Sequence, residues 1–195
     1  MMVESDLEAV ERLQRKKTVA WHQGPYGPSQ NGFLQLVEAN HYCNFELWHE
    51  EDRARRDDKG YRFVYQAKRN IDAWNQKRND LIEKIDRWLV ERLPDMPNDI
   101  AMNSETPGMI IDRLSILTLK AYHMKEESQR ESALRSQREG CMRKLDIIRR
   151  QHADLFEALE LLMADVFKGK RGFRIYSQFK MYNDPALNPE LYKES

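Results

Sequence analysis

The chain is poor in residues that interrupt regular structure: of 195 residues only eight are glycine and seven proline. These cluster at 24–32, 60, 94–97, 107–108, 140, 169–172 and 185–189. The windows between them, 33–59, 61–93, 109–139 and 141–168, run 27, 33, 31 and 28 residues without either type. An all-β fold needs turn residues about every 8–12 positions, and a doubly wound α/β fold needs glycine-rich turns. Both are excluded. Cysteine is scarce as well: Cys43 and Cys141 stand alone with no CxxC pair, as expected of two structural thiols in a reducing compartment. No apolar run approaches the roughly 18 residues of a membrane span. The opening MMVESDLEAVERLQRKK has no signal-peptide core, so a cytoplasmic location is expected. The 32 basic and 32 acidic residues cancel, leaving no global field for nucleic acid or an anionic membrane.

What remains is helical periodicity. Residues 4–20 read as a short charged helix with a thin apolar side of Leu7, Val10, Leu13 and Gln14, and Gln23–Gly32 as a linker or wrapped loop. Leu34, Val37, His41, Phe45, Trp48 and Asp52 then share a stripe, closed by the charged run RARRDDKG. The next stripe is Ile71, Trp74, Arg78, Leu81, Ile82, Ile85 and Leu89, ending before Pro94 and Pro97. Thr106 as N-cap and Pro107 at the first helical position start a third long helix. It is apolar nearly all round from Met109 to Met124, and therefore central. A fourth carries Cys141, Leu145, Ile148, His152, Leu155, Leu159, Leu162 and Val166 at helical spacing. The expectation is one all-α domain over 1–195: an N-terminal arm and loop (1–32), an antiparallel bundle of four long helices (33–168) and a docking tail (169–195). The stretch KGKRGFRIYSQFKMY, 168–182, holds five basic and no acidic residues. The rest of the chain is then −5, so the tail is expected to dock on the body. Its alternation of basic and aromatic residues is too narrow to make nucleic acid the expected partner.

Function is sought where polar residues interrupt apolar stripes. In NFELWHEEDRAR, Asn44, Trp48, Asp52 and Arg55 lie near one face and His49 precedes Asp52 by one turn. Glu46-x-x-His49 has the spacing of half a di-iron site, but no second ExxH stands on another helix. A mononuclear site of His49, Asp52 and a distant carboxylate, Glu105 or Asp112, is the other metal reading, and a solvated helix end the plain one. In WNQKRNDLIEKID, Arg78 falls on the apolar line and must be paired. Asp52 or Asp112 would pair with it in a structural ion-pair network; otherwise it is a fork-shaped donor for a phosphate or carboxylate. In NSETPGMIIDR the helix start presents free backbone N–H groups to an anion, either Glu105 or a ligand phosphate. His152 and His123 read as core residues, and no spacing suggests a nucleophile.

Four segments in order, NFELWHEEDRAR, KRNIDAWNQKRNDLIEKID, NSETPGMIIDRLSIL and FRIYSQFKMYNDPALNP, resemble a bacterial all-helical family, domain of unknown function 4254. The resemblance covers roughly 33–189 and implies a bacterial cytoplasmic protein. It implies no activity, although genes of such proteins often sit among those for sugar and lipopolysaccharide assembly, including heptosyltransferase-like enzymes. The family's motifs fall on His49, Glu51, Asp52, Arg55, Asn75, Arg78, Asn79, Asp80, Asn103, Glu105, Thr106, Pro107, Asp112 and Arg113.

The leading expectation is therefore a protein that binds an anionic small molecule, a sugar phosphate or nucleotide sugar, as accessory or small enzyme in glycan assembly. Arg78, Asn75, Asn79, Arg113, Glu105 and Thr106 would hold the ligand; His49, Asp52 and Glu51 would supply acid–base chemistry. An enzyme of this kind would be a metal-assisted phosphohydrolase or transferase, with Asp52, Glu105 and Asp112 as oxygen ligands for a divalent cation such as Mg²⁺. The rival is a non-catalytic helical module whose tail binds a partner chain, such as a glycosyltransferase, or a second copy. Convergence of His49, Asp52, Arg78 and Asp112 on an open pocket favours the first; mutual saturation without a cavity favours the second.

Overall fold

The computed structural model describes residues 4–25, 27, 29–93, 99–177 and 185–191. Five helices dominate: α1 Glu4–Gln23, α2 Gly32–Arg53, α3 Tyr61–Val90, α4 Pro107–Gln129 and α5 Arg135–Phe167. A single 3-10 turn, Asp57–Lys59, lies between α2 and α3. Two short strands, β1 Ala101–Met102 and β2 Arg171–Gly172, pair in parallel. The protein is all-α in class. No described helix is long and apolar enough to cross a membrane.

The main core takes side chains from all five helices, with Val10, Val37, Ile85, Ile111, Leu159 and Val166 among its most deeply buried members. Helix α4 packs against each of the other four helices, as its nearly all-round apolar surface requires. Residue pairs fix the sense of packing. Thr18, His41 and Ser115 meet in one layer, His22, His49 and His123 in another. Helices α1, α2 and α4 therefore run the same way, whereas α3 runs opposite to α2, since Arg78 faces Asn44 and Asn70 faces Glu50.

Helix α1 is longer than expected and is no peripheral arm: Leu7, Val10 and Leu13 enter the main core, and Gln14, Thr18 and Trp21 are buried. Because α1 and α2 are parallel, the loop between them must run back along α1. Lys17 secures it, donating to Gly27 O at 3.4 Å and pairing with the buried Glu38 at 2.5 Å. Glu38 also accepts the backbone N–H groups of Ser29 and Gln30, each at 3.1 Å.

Helix α5 begins at Arg135 and runs straight through Gly140, so the break expected at that glycine falls earlier, at 130–134. A Cβ at Gly140 would meet only the Arg143 side chain, at 3.9 Å, so the glycine costs only about 1 kcal/mol of helix propensity. The actual break follows the charged run at the end of α4, where Arg130 turns extended, and Gln137 Oε1 accepts from Leu134 N at 3.1 Å to restart the helix. The basic tail docks at its start. Phe173 is buried in the main core, β2 pairs with β1, and Ser177 donates to Glu83 at 3.3 Å. Phe179 and Tyr182, like Pro94 and Pro97, lie outside the described residues.

Candidate functional site

Helices α2, α3 and α4 leave an open cleft of about 340 Å³ between them. Leu47, Trp48, Ile116 and Leu119 form its apolar wall, and Asn44, Glu51, Asp52, Arg55, Asn75, Arg78 and Lys120 its polar lining. The one-turn spacing of Asn44, Trp48, Glu51, Asp52 and Arg55 turns them toward the cleft from α2, as 3.6-residue periodicity dictates. Asn75 and Arg78, three apart on α3, face them, and Lys120 closes the site from α4.

The charges in this cleft are unevenly matched. Arg55 pairs with Glu51 at 2.8 Å. Arg78 reaches only Asn44 Oδ1, at 3.5 Å, and its Nε is buried with no hydrogen-bond partner. No carboxylate lies within ion-pair distance of Arg78 or Lys120 among the described residues. The expected Arg78 ion pair with Asp52 or Asp112 is therefore absent from the described structure. The half-buried guanidinium thus keeps hydrogen-bonding capacity that the described residues do not fill.

Asp112 is spoken for. Its Oδ1 accepts Nδ2 hydrogens from Asn40 at 2.9 Å and Asn44 at 2.8 Å. A directed chain continues from there. Thr18 Oγ1 donates to Gln14 O at 2.9 Å, so it accepts from His41 Nε2, also at 2.9 Å. His41 Nδ1 is then the acceptor for Ser115 Oγ at 2.7 Å, and Ser115 accepts from Asn44 at 3.0 Å. Burial pushes the His41 imidazolium pKa down to about 3, so this ring is a neutral structural link between three helices.

The comparison that assigns a family spans α2 to the residues beyond β2. Residues 34–175 match the model of a protein family of unknown function, DUF4254. The chain belongs to DUF4254. No curated protein and no solved structure matches it.

In this DUF4254 chain the other residues expected at the site are dispersed. His49 does not line the cleft; its ring packs edge-on against Phe45 at 4.5 Å and beside His22 at 5.4 Å. Burial, and His22 beside it, hold its pKa below the usual imidazole range. Asn79 is buried on α3 away from the cleft lining. Glu105 forks onto Arg113 at 2.6 and 2.7 Å, at the head of α4. Thr106 caps α4, accepting from Met109 N at 3.2 Å.

The anion at that helix start is Asp86 of α3, which accepts from Gly108 N at 2.7 Å and from Thr106 Oγ1 at 2.5 Å. Neither Glu105 nor a ligand is needed there. The three carboxylates expected to take Mg²⁺ are thus set apart, Asp112 in the interior network, Glu105 on Arg113 and Asp52 at the cleft. Among the described residues no ready-made set of three His, Cys, Asp or Glu holds a metal ion.

Lys120, Ile116 and Asp86 were missed as contributors. Lys120 carries a signal, being the only Asp, Glu, Lys or Arg between Leu114 and Met124. Asp86 carries one too, as a carboxylate directly after Ile85 on the buried side of α3.

Proposed function

We propose that the α2–α3–α4 cleft binds an anionic small molecule, a sugar phosphate or nucleotide sugar. The protein would act as an accessory or small enzyme in the bacterial, cytoplasmic glycan or lipopolysaccharide assembly that the family resemblance implies. The observation that carries this reading is Arg78, whose buried Nε lacks a partner while Lys120 faces the same cleft with no carboxylate within ion-pair distance among the described residues. In this reading the two cations hold the anion, Asn75 and Asn44 orient hydroxyl groups, and Trp48 offers a flat apolar face to a ring. Acid–base chemistry in the cleft falls to Glu51 and Asp52. The opposed sense of α2 and α3 supports an antiparallel bundle of the four long helices as the scaffold.

The test is thermal stabilisation and calorimetric binding with sugar phosphates, nucleotide sugars and inorganic phosphate. Ligand at 100 times its Kd stabilises by about 2.7 kcal/mol, and Arg78→Ala or Lys120→Ala should abolish that gain. Absence of any shift, with the full chain and with a tail-deleted chain, overturns the reading.

The internally hydrogen-bonded Asp112–Asn44–Ser115–His41 network favours a second reading, a non-catalytic interaction module that self-associates or binds a glycosyltransferase-like partner. A concentration-dependent dimer in light scattering, with no ligand response, would support it.

A further inference from the structure

Helix α4 separates the α2–α3–α4 cleft from a second open groove, of about 600 Å³, that it forms with α5. Ile116 and Lys120 line both. Lys120 therefore stands on the boundary between two cavities and not at the blind end of one.

The loop joining α4 to α5 spans only 130–134, which makes the two helices antiparallel neighbours. Thr118 lies level with His152, its Oγ1 3.2 Å from the ring Nε2. Lys120 and Gln151 thus mark one end of the groove, and Arg113 and Ala158 the other. The ends are about two turns of helix apart, roughly 10 Å.

The chemistry changes along that length. Ile116, Leu117, Leu155 and Ala158 give the groove an aliphatic surface, and no aromatic ring lines it. Gln151 and Asp154, on one face of α5, are exposed and make no hydrogen bond or ion pair with any described residue. A carboxylate only accepts hydrogen, and an amide both donates and accepts. Side by side they suit neighbouring hydroxyl groups. A phosphate inside the groove would face the Asp154 carboxylate, and Arg113 at the far end is already held by Glu105 at 2.6 Å. The anion belongs at the other end, where Lys120 and Arg78 share the cleft.

We propose that the bound anion is a phosphodiester or diphosphodiester, its phosphate held at Lys120 and Arg78 and one organic arm lying in each cavity. This rests on the anion-binding reading of the cleft and narrows it. A sugar phosphate has one arm and leaves the larger cavity to water; a molecule of the nucleotide-sugar class has two and fills both. The flat ring lies against Trp48 in the cleft. The hydroxylated, non-aromatic arm runs along the groove, its hydroxyl groups donating to Asp154 and its C–H face covering Leu117 and Leu155.

The experiment is calorimetric titration of the full chain with UDP-glucose and ADP-glucose, each against its own parts: UDP, ADP and glucose 1-phosphate. UDP and ADP carry more negative charge than their glucose diesters, so tighter binding of a diester reads the second arm and not the charge. At least one diester should bind about tenfold more tightly than either of its parts, the worth of two ordinary hydrogen bonds. Ala158 is exposed on α5, so Ala158→Trp fills the groove without entering the core. It should remove the diester's advantage and leave the affinity for UDP and ADP unchanged. Asp154→Ala should reduce the same advantage several-fold, and melting curves check that both variants fold. A part that binds as tightly as its diester, or an advantage untouched by both variants, overturns the two-armed ligand and leaves the cleft reading standing. Binding by none of these compounds overturns both.

Discussion

Gly108 and Asp86 hold the central helix against α3: the Gly108 backbone N–H donates to Asp86 Oδ1 at 2.7 Å. The approach is too close for a side chain. A Cβ at Gly108 would lie 2.7 Å from Ile82 O and 2.8 Å from the Asp86 carboxyl. The Thr-Pro-Gly sequence thus has three jobs in three consecutive residues. Thr106 caps, Pro107 starts the turn without needing its N–H, and Gly108 admits the carboxylate of another helix.

Gly108→Ala therefore should destabilise the protein, although alanine is the better helix former. Ile82 O is backbone and cannot swing aside, so the clash costs about 1–3 kcal/mol. That corresponds to a fall in Tm of roughly 2–4 °C for each kcal/mol in a chain of this size. Calorimetric melting of the variant at pH 7 checks it; a Tm equal to wild type would show that α3 and α4 can part at no cost.

That latch also shows where the sequence was legible. The Thr106 cap and Pro107 start are local chemistry and stand where the motif puts them. The apolar run Met109–Met124 is the central helix for the same reason, since periodicity reports which faces are buried. Periodicity does not report which neighbour buries them. Asp86 as the anion at α4, Lys120 in the cleft and the His22–His49–His123 group all depend on how separate helices align. That alignment depends in turn on a loop folding back along α1, held by Lys17 and Glu38. No glycine or proline marks the break at 130–134; its signal is the polar sequence that follows Lys125. Arg78 was legible as an anomaly, a cation on an apolar line, but its lack of a carboxylate partner is a property of the assembled fold.

Stability should fall on acidification, against an opposing contribution from the latch. The folded-state pKa of His41 is depressed from 6.5 to about 3 by burial. Its unfolded form therefore binds the proton first, and stability present above pH 6.5 drains away as pH falls toward 3. His49, His123 and His152 are shifted the same way. Asp86 works in reverse: burial raises its pKa from 3.8 to about 6, so its contribution is greatest below pH 3.8 and is lost as pH rises through 6. Urea unfolding at pH 7 and pH 4.5 should show His41→Asn losing less stability on acidification than wild type, by about 2 kcal/mol. Asp86→Asn should lose more. A His41 variant with the wild-type pH slope would mean that the ring is not the principal acid-sensitive group.

Arg78 distinguishes a structural cation from a binding one. A guanidinium that locks bundle register must be matched by a carboxylate, and removing it then strands a buried charge at a cost of about 3–5 kcal/mol. In the described structure Arg78 has no carboxylate within ion-pair distance, only Asn44 at 3.5 Å, and its Nε is left unpaired. Replacing it with methionine keeps the apolar stem along the cleft wall and removes the unsatisfied donor. Arg78→Met should therefore be at least as stable as wild type without ligand, by about 0–1 kcal/mol on melting, while losing the stabilisation that sugar phosphates supply. Stability without ligand and ligand response are read from the same melting curves, so the two roles separate in one measurement. A Met variant that melts well below wild type, with the ligand response of the remaining folded protein intact, would return Arg78 to the scaffold and move the anion site elsewhere in the cleft, to Lys120 and Arg55.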